Sequence, residues 1–329
     1  MKWYKWNVIS YERWLMMGKA TPGYLCVMAA AVMWASSGTA GKSLFNSGMT
    51  PFDLVQVRVT LASLAMILLL GFWAPAQLRI RRCDVGYMLL LGGLVMAAVQ
   101  FTYLFSISKI QVVAAILIQY TAPILVAAYS VLFWGERFTA SKALAVVLAL
   151  IGCYLVVGAY NVDLLHANRV GIISAVCSAI LFAVYTLVGE RMMHRYPPWT
   201  VVFYSMLFAA VTWNVVRPPL GFLKTPHTAT EWGLILYIAL VGTVAAFGLF
   251  FMGVNHIRST RATITSTLEP ISAGFIAFVF LGESLAPLQI FGAVLVIAAI
   301  VLLQVEREQS ELTPELVRNS RRERCEGAP

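Results

Sequence analysis

Two ionisable side chains stand alone inside long apolar runs, Arg58 between Val57 and Val59 and Glu269 between Leu268 and Pro270. A charge at such depth in a membrane costs on the order of 2.5 to 3.5 kcal/mol on insertion scales, offset by a partner or a wet cavity. The chemistry open to the two differs. A guanidinium fork can grip a carboxylate, whereas a lone intramembrane carboxylate is a place for a proton or small cation to bind. The competing role for Arg58 is to snorkel along its stem and seal the edge of the membrane. For Glu269 it is to be satisfied by Thr265 one turn earlier, or by an arginine. Trp34, Gln100, Tyr103, Gln119, Tyr120 and Tyr185 bring polar or aromatic edges into similar runs and could orient a solute, although aromatic residues in a bundle more commonly serve packing.

Other chemistry finds no support in the residue pattern. Cys26, Cys83, Cys153, Cys177 and Cys325 show no C-x-x-C spacing, so neither disulfide, metal nor cofactor is expected. His166, His194, His227 and His256 fall outside the apolar runs and no H-E-x-x-H or G-x-S-x-G pattern occurs, which argues against an enzyme. Ser36 to Ser43 ends like a phosphate-binding loop, but it lacks the first glycine and no strand precedes it.

The elements that must position these residues are membrane helices. Hydrophobic residues make up 60% of the 329 and charged ones 12%, and the mean hydropathy is +0.79. No soluble domain could carry that composition on its surface. With about 20 apolar residues needed per crossing, ten spans are expected: Pro22 to Ser43, Phe52 to Trp73, Val85 to Ile107, Val112 to Trp134, Ala140 to Tyr160, Gly171 to Glu190, Trp199 to Val216, Trp232 to Val254, Ala262 to Leu281 and Pro287 to Gln304. Before them, residues 1–21 mix Trp3, Tyr4, Trp6 and Trp14 with Lys2, Lys5, Arg13 and Lys19, which suits a segment at the headgroup level rather than a secretory signal; a start at Met16 or Met17 would shorten it. Residues 305–329 alternate Glu and Arg and read as a solvated, partly helical or disordered cytosolic tail.

Basic residues collect on the cytoplasmic side of membrane proteins. With the amino end inside, inner segments and span ends hold 18 of the 24 Lys and Arg, outer ones hold Lys42, Lys109, Arg169, Arg217 and Lys224, and Arg58 alone lies well within a span. Both termini are then cytoplasmic, and the net charge of +9 faces anionic lipid rather than nucleic acid. Depth follows from the same frame. At about 1.5 Å per residue, Arg58 sits roughly 9 Å below the outer edge and Glu269 roughly 10 Å above the inner one. Within a core of about 30 Å they differ in depth by about 11 Å, so no direct ion pair is expected, while a zwitterionic solute could touch both.

The spans repeat. Pro123, Gly135 and Glu136 recur 147 positions on as Pro270, Gly282 and Glu283, and Gly23 to Lys42 lies over Gly171 to Glu190 at an offset of 148. Residues 22–160 and 169–304 are thus two copies of five spans, and an odd number inverts the second in the bilayer. Pro123 and Pro270 each remove a backbone donor, freeing the carbonyls of Gln119 and Ser266. Such breaks are tolerated where they face other helices or a water-filled cavity.

Pro51-Phe52 with Arg58 and Ala62, Ile118-Gln119-Tyr120-Thr121-Ala122-Pro123 and Leu132-Phe133-Trp134-Gly135-Glu136-Arg137 resemble the first half of the EamA family of the drug/metabolite transporter superfamily. Leu268-Glu269-Pro270-Ile271 and Phe280-Leu281-Gly282-Glu283 resemble its second half. The resemblance spans Gly23 to Gln304. It implies an all-α, ten-helix secondary carrier that exports amino acids or other small metabolites, often from the bacterial inner membrane; Glu269, as an intramembrane carboxylate, makes protons a candidate coupling ion. A facilitative, channel-like permease and a membrane sensor sharing the carrier fold are the alternatives.

Overall fold

A backbone inside hydrocarbon must satisfy its own N–H and C=O groups, which a helix does within one segment. The computed structural model describes the backbone of residues 2–110, 112–137, 139–161, 168–219, 227–281, 286–305 and 313–326, and the side chains of these except 2–20, 112–113, 161, 277, 280–281 and 322–326. The repeated Gly282-Glu283 block and His166 lie outside the described residues. Twelve helices carry the fold among the described residues: α1 (Lys2–Asn46), α2 (Pro51–Trp73), α3 (Arg82–Lys109), α4 (Val112–Gln119), α5 (Ala122–Trp134), α6 (Ala140–Val156), α7 (Arg169–Met193), α8 (Pro198–Val216), α9 (Ala229–Thr265), α10 (Leu268–Leu281), α11 (Pro287–Val305) and α12 (Pro314–Glu326). Among the described residues, eight segments are long and apolar enough to cross a membrane. The chain is an all-helical, multi-pass membrane protein.

Helix starts follow local chemistry. Thr50, Thr139 and Asn168 accept from the backbone N–H three residues on, and Thr228 forms a capping box with Glu231. Burial runs opposite to that of a soluble protein. Phe72, Trp73 and Leu132 point outward at 84%, 82% and 75% exposure, while Gln56, Arg58, Glu190 and Thr243 are buried. Such an exterior is matched to lipid tails.

The largest departure from expectation concerns the eighth and ninth spans. They were expected to separate between Val254 and Ala262, but α9 continues to Thr265, crossing a break at Arg258, where φ is 65°. By hydropathy the stretch Asn255 to Arg261 reads as a loop. Its polar groups are instead bonded internally. Asn255 accepts from Arg318, His256 pairs with Glu315 at 2.7 Å, Arg258 pairs with Glu190, and Arg261 donates to Tyr24 and to the Leu303 carbonyl. Glu315 and Arg318 belong to α12, so this part of the tail is a helix docked on α7 and α9 rather than a solvated end.

The duplication is visible as geometry. A Cβ added at Gly23, midway along α1, would meet His256 and Ile257, and one added at Gly171, near the start of α7, would meet Lys109 and Ile110. Each contact maps onto the other at the sequence offset. α3 and α9 carry π-helical turns at Leu90–Met96 and Leu240–Ala245, and the chain breaks before both prolines, between α4 and α5 and between α9 and α10. Pro123 and Pro270 thus fall in the first turn of a helix, where a missing N–H costs no helical bond. Gly23 lies close to Arg258, whose partner Glu190 ends α7. Equivalent helices α1 and α7 therefore run in opposite senses.

α6 and α11 cross where Gly152 and Gly292 face each other. A Cβ on Gly152 would stand 2.8 Å from the Gly292 carbonyl oxygen and 3.0 Å from the Val296 nitrogen, backbone atoms that cannot step aside. Gly152→Ala should cost about 1 to 3 kcal/mol and lower the thermal unfolding midpoint in detergent, whereas Gly71→Ala, with nothing within 4 Å of its Cβ, should leave it in place.

Candidate functional site

The breaks in the two copies meet at a cavity of about 390 Å³, a size typical of small-molecule sites. Ala122 and Pro123 from the start of α5, and Ser266, Glu269 and Pro270 around the start of α10, form part of its wall. Two helix N-termini therefore point their partial positive charge at one space.

Nine of the ten residues singled out from sequence meet there: Trp34, Arg58, Gln100, Tyr103, Gln119, Tyr120, Pro123, Glu269 and Pro270. Tyr185 does not reach it. Its ring is fully buried behind the cavity, packed on Phe247 and Phe251.

Arg58 does not snorkel. Its Nε donates to Thr243 Oγ1 at 3.1 Å and its Nη2 approaches the Gly242 carbonyl at 3.5 Å. Both acceptors sit in the π-helical turn of α9, where the Thr243 hydroxyl donates in turn to the Ile238 carbonyl. A π turn misaligns the ladder locally and leaves such carbonyls available. No carboxylate pairs with Arg58 among the described residues, so its guanidinium carries an uncompensated charge at the cavity wall.

Glu269 lies in the first turn of α10, where the helix dipole favours an anion by about 0.3 to 1 kcal/mol. The expected partners, Thr265 or an arginine, are not the ones it has. Tyr120 donates to Glu269 Oε2 at 2.7 Å and lies 3.1 Å from the Ser266 carbonyl, which also accepts from the Glu269 N–H at 3.0 Å. One phenol from the break of the first copy thus serves the break of the second. Arg58 and Glu269 form no ion pair, and Tyr103 lies within electrostatic reach of both. Three buried polar atoms on the wall have no protein partner among the described residues: Trp34 Nε1, Gln100 Nε2 and Gln119 Oε1. A buried unpaired polar group costs about 1 to 3 kcal/mol, a cost that a polar solute would remove.

The cavity has two different ends. It extends to Lys42 near the end of α1, Ile107 near the end of α3, Val157 just past α6 and Gln289 near the start of α11. Lys42 is exposed. Sequence reasoning passed over this rim, because Ser37 and Thr39 drew notice only as part of a phosphate-loop lookalike and Lys42 besides that only as an outer-side charge. The opposite end is sealed by buried carboxylates. Glu190 accepts from the Ser259 backbone N–H at 2.8 Å, from the Ser259 hydroxyl and from Arg258 Nε at 3.1 Å. Glu136 pairs with Lys142 at 2.9 Å, both side chains being 2% exposed, and accepts from Thr260. Arg258 lies over the Trp134 ring. This end is also strongly cationic: burial first, then the charges of Arg258, Arg321, Arg191 and Arg318, push the His194 imidazole down to about 4.

Comparison with known proteins agrees with this arrangement. The family model for the EamA-like transporter family matches residues 21–158 and again 169–305. The chain belongs to that family, within the drug/metabolite transporter superfamily, and is a membrane transporter. The inner membrane transporter YicL of Salmonella typhimurium is 27% identical over 88% of this chain and 97% of its own. The transporter YwfM of Bacillus subtilis is 28% identical over 87% and 95%, and the threonine/homoserine exporter RhtA of Escherichia coli is 25% identical over 84% and 90%. A crystal structure superposes with a TM-score of 0.71 at 17% identity, covering 86% of this chain and 96% of that one; it supports the fold.

Removing one member of a buried ion pair strands the other. Lys142→Met should therefore cost about 3 to 5 kcal/mol, and Glu136→Gln combined with Lys142→Met should recover most of it, read as the thermal midpoint of the purified protein.

Proposed function

We propose that the chain is a secondary carrier for a small zwitterionic metabolite, an amino acid in the first instance, exporting it across the cytoplasmic membrane by alternating access. The observation that carries this reading is a central cavity that reaches one end of the bundle and is sealed at the other, with Arg58 and Glu269 apart on its wall. An open pore would be continuous. In this reading Ser259–Thr265 and α10 form one broken span, as α4 and α5 do, which makes ten spans in two inverted repeats of five. The cationic Glu190 end faces the cytoplasm, both termini lie there, and the conformation is open to the outside.

Within the cavity Arg58 and Gln100 would hold the solute carboxylate and Glu269 and Gln119 its ammonium group, Glu269 also being the proton site when the cavity is empty. RhtA is by name a threonine/homoserine exporter, which makes those two amino acids the first solutes to try.

Reconstituted protein should show saturable counterflow of a labelled amino acid, enhanced by a pH gradient. Arg58→Lys, which loses the planar fork, and Glu269→Gln, which loses the charge, should each reduce flux by roughly tenfold or more. Wild-type rates in both variants would remove these residues from the mechanism, and non-saturable flux would favour the permease.

A further inference from the structure

Each copy carries a π turn, at Leu90–Met96 of α3 and at Leu240–Ala245 of α9, so the turn itself belongs to the architecture. What it meets differs between the copies. At the offset of 147 Ser205 of α8 stands in the place of Arg58 of α2, and at the same offset Met96 stands in the place of Thr243. The α3 turn lies directly on α8. A Cβ added at Gly92 would stand 2.7 Å from the Ser205 carbonyl oxygen, which leaves no room for a long side chain between the two helices. Arginine and threonine are thus present together at one crossing and absent together from the other, and the arginine of the crossing that has them lines the cavity.

Thr243 is fully buried, and its hydroxyl is used twice, donating to the Ile238 carbonyl at 2.8 Å and accepting from Arg58 Nε at 3.1 Å. The first bond points the hydroxyl hydrogen away from Arg58, so that a lone pair faces Nε. The Gly242 carbonyl stands 3.5 Å from Nη2. Nε and Nη2 form one edge of the planar guanidinium, and both acceptors of the π turn lie along it. The edge formed by Nη1 and Nη2 remains. Among the described residues nothing bonds Nη1, and that edge can meet a carboxylate with two parallel bonds. We infer that Thr243 is a positioning residue of the carrier: by holding the Nε edge of Arg58 on the π turn it presents the Nη1 and Nη2 edge to the cavity, and so makes a free carboxylate the group by which solutes are selected. Thr243 acts through Arg58 and does not line the cavity itself. This inference rests on the carrier reading above, in which Arg58 holds the solute carboxylate.

The test uses full-length protein in vesicles. Counterflow is measured with each labelled protein amino acid, and the one carried fastest serves as the probe, with its amide, which has no carboxylate, as competitor. Thr243→Val keeps the shape of the side chain and loses both hydroxyl bonds. It should raise the KM for the probe roughly tenfold with the maximal rate near that of the parent, and leave inhibition by the amide unchanged, so that selectivity for acid over amide falls by the same factor. Thr243→Ser, which keeps the hydroxyl, should restore KM and selectivity. If Thr243→Val does not fold, Thr243→Cys, whose thiol is a weak acceptor, replaces it with the same expected direction. An unchanged KM, or an equal loss of acid and amide binding, would overturn the inference, the second outcome making Thr243 a packing residue. Arg58→Lys separates the two levels. Impaired transport in Arg58→Lys beside a parent-like Thr243→Val overturns the inference alone, whereas parent-like transport in Arg58→Lys, or a parent that carries no amino acid, overturns the carrier reading with it.

Discussion

Breaking a helix inside a membrane leaves peptide groups that no water can satisfy, and this chain breaks its backbone at matching positions in its two copies, before Pro123 and before Pro270. The solution at the centre is a single phenol: Tyr120, at the first break, reaches the Ser266 carbonyl and the Glu269 carboxylate at the second. The solution at one edge is a carboxylate, Glu190, which caps the segment beginning at Ser259. The cavity exists because these two breaks face each other. Without such partners the half-helices would have no reason to stay apart.

Charge placement follows from the same constraint. Buried ions at the sealed end are each multiply bonded, as Glu136 is to Lys142 and Thr260, and so can be carried in a low-dielectric interior. Arg58 is different, since it has a hydroxyl and a distant carbonyl but no counter-ion among the described residues.

Much of this was legible in the sequence, for reasons that can be named. Arg58 and Glu269 stood out because each lies deep in an apolar run and lacks a charged counterpart in the other copy, where Ser205 and Ala122 stand. Pro123 and Pro270 marked the breaks because proline acts locally. What could not be read was whatever depends on partners far along the chain. Asn255 to Arg261 looked like a loop because hydropathy cannot see Glu190, Tyr24 or α12. Thr243 gave no sign that it would receive Arg58, since the π turn presenting it has no local sequence mark. Tyr185, similar by type to Tyr103 and Tyr120, turned to the other side of its helix, and no spacing rule separated them.

The reciprocal seating of Gly23 against α9 and of Gly171 against α3 has a bearing on biogenesis. Each copy lends its opening helix to the other, so neither half can be completed by its own residues. During synthesis the earlier half must wait in the bilayer with a groove on α3 and an unclaimed face on α1 until the later half is inserted. Maturation of this protein is thus a mutual clasp rather than two independent events, and a cut between the halves would leave two fragments that need each other.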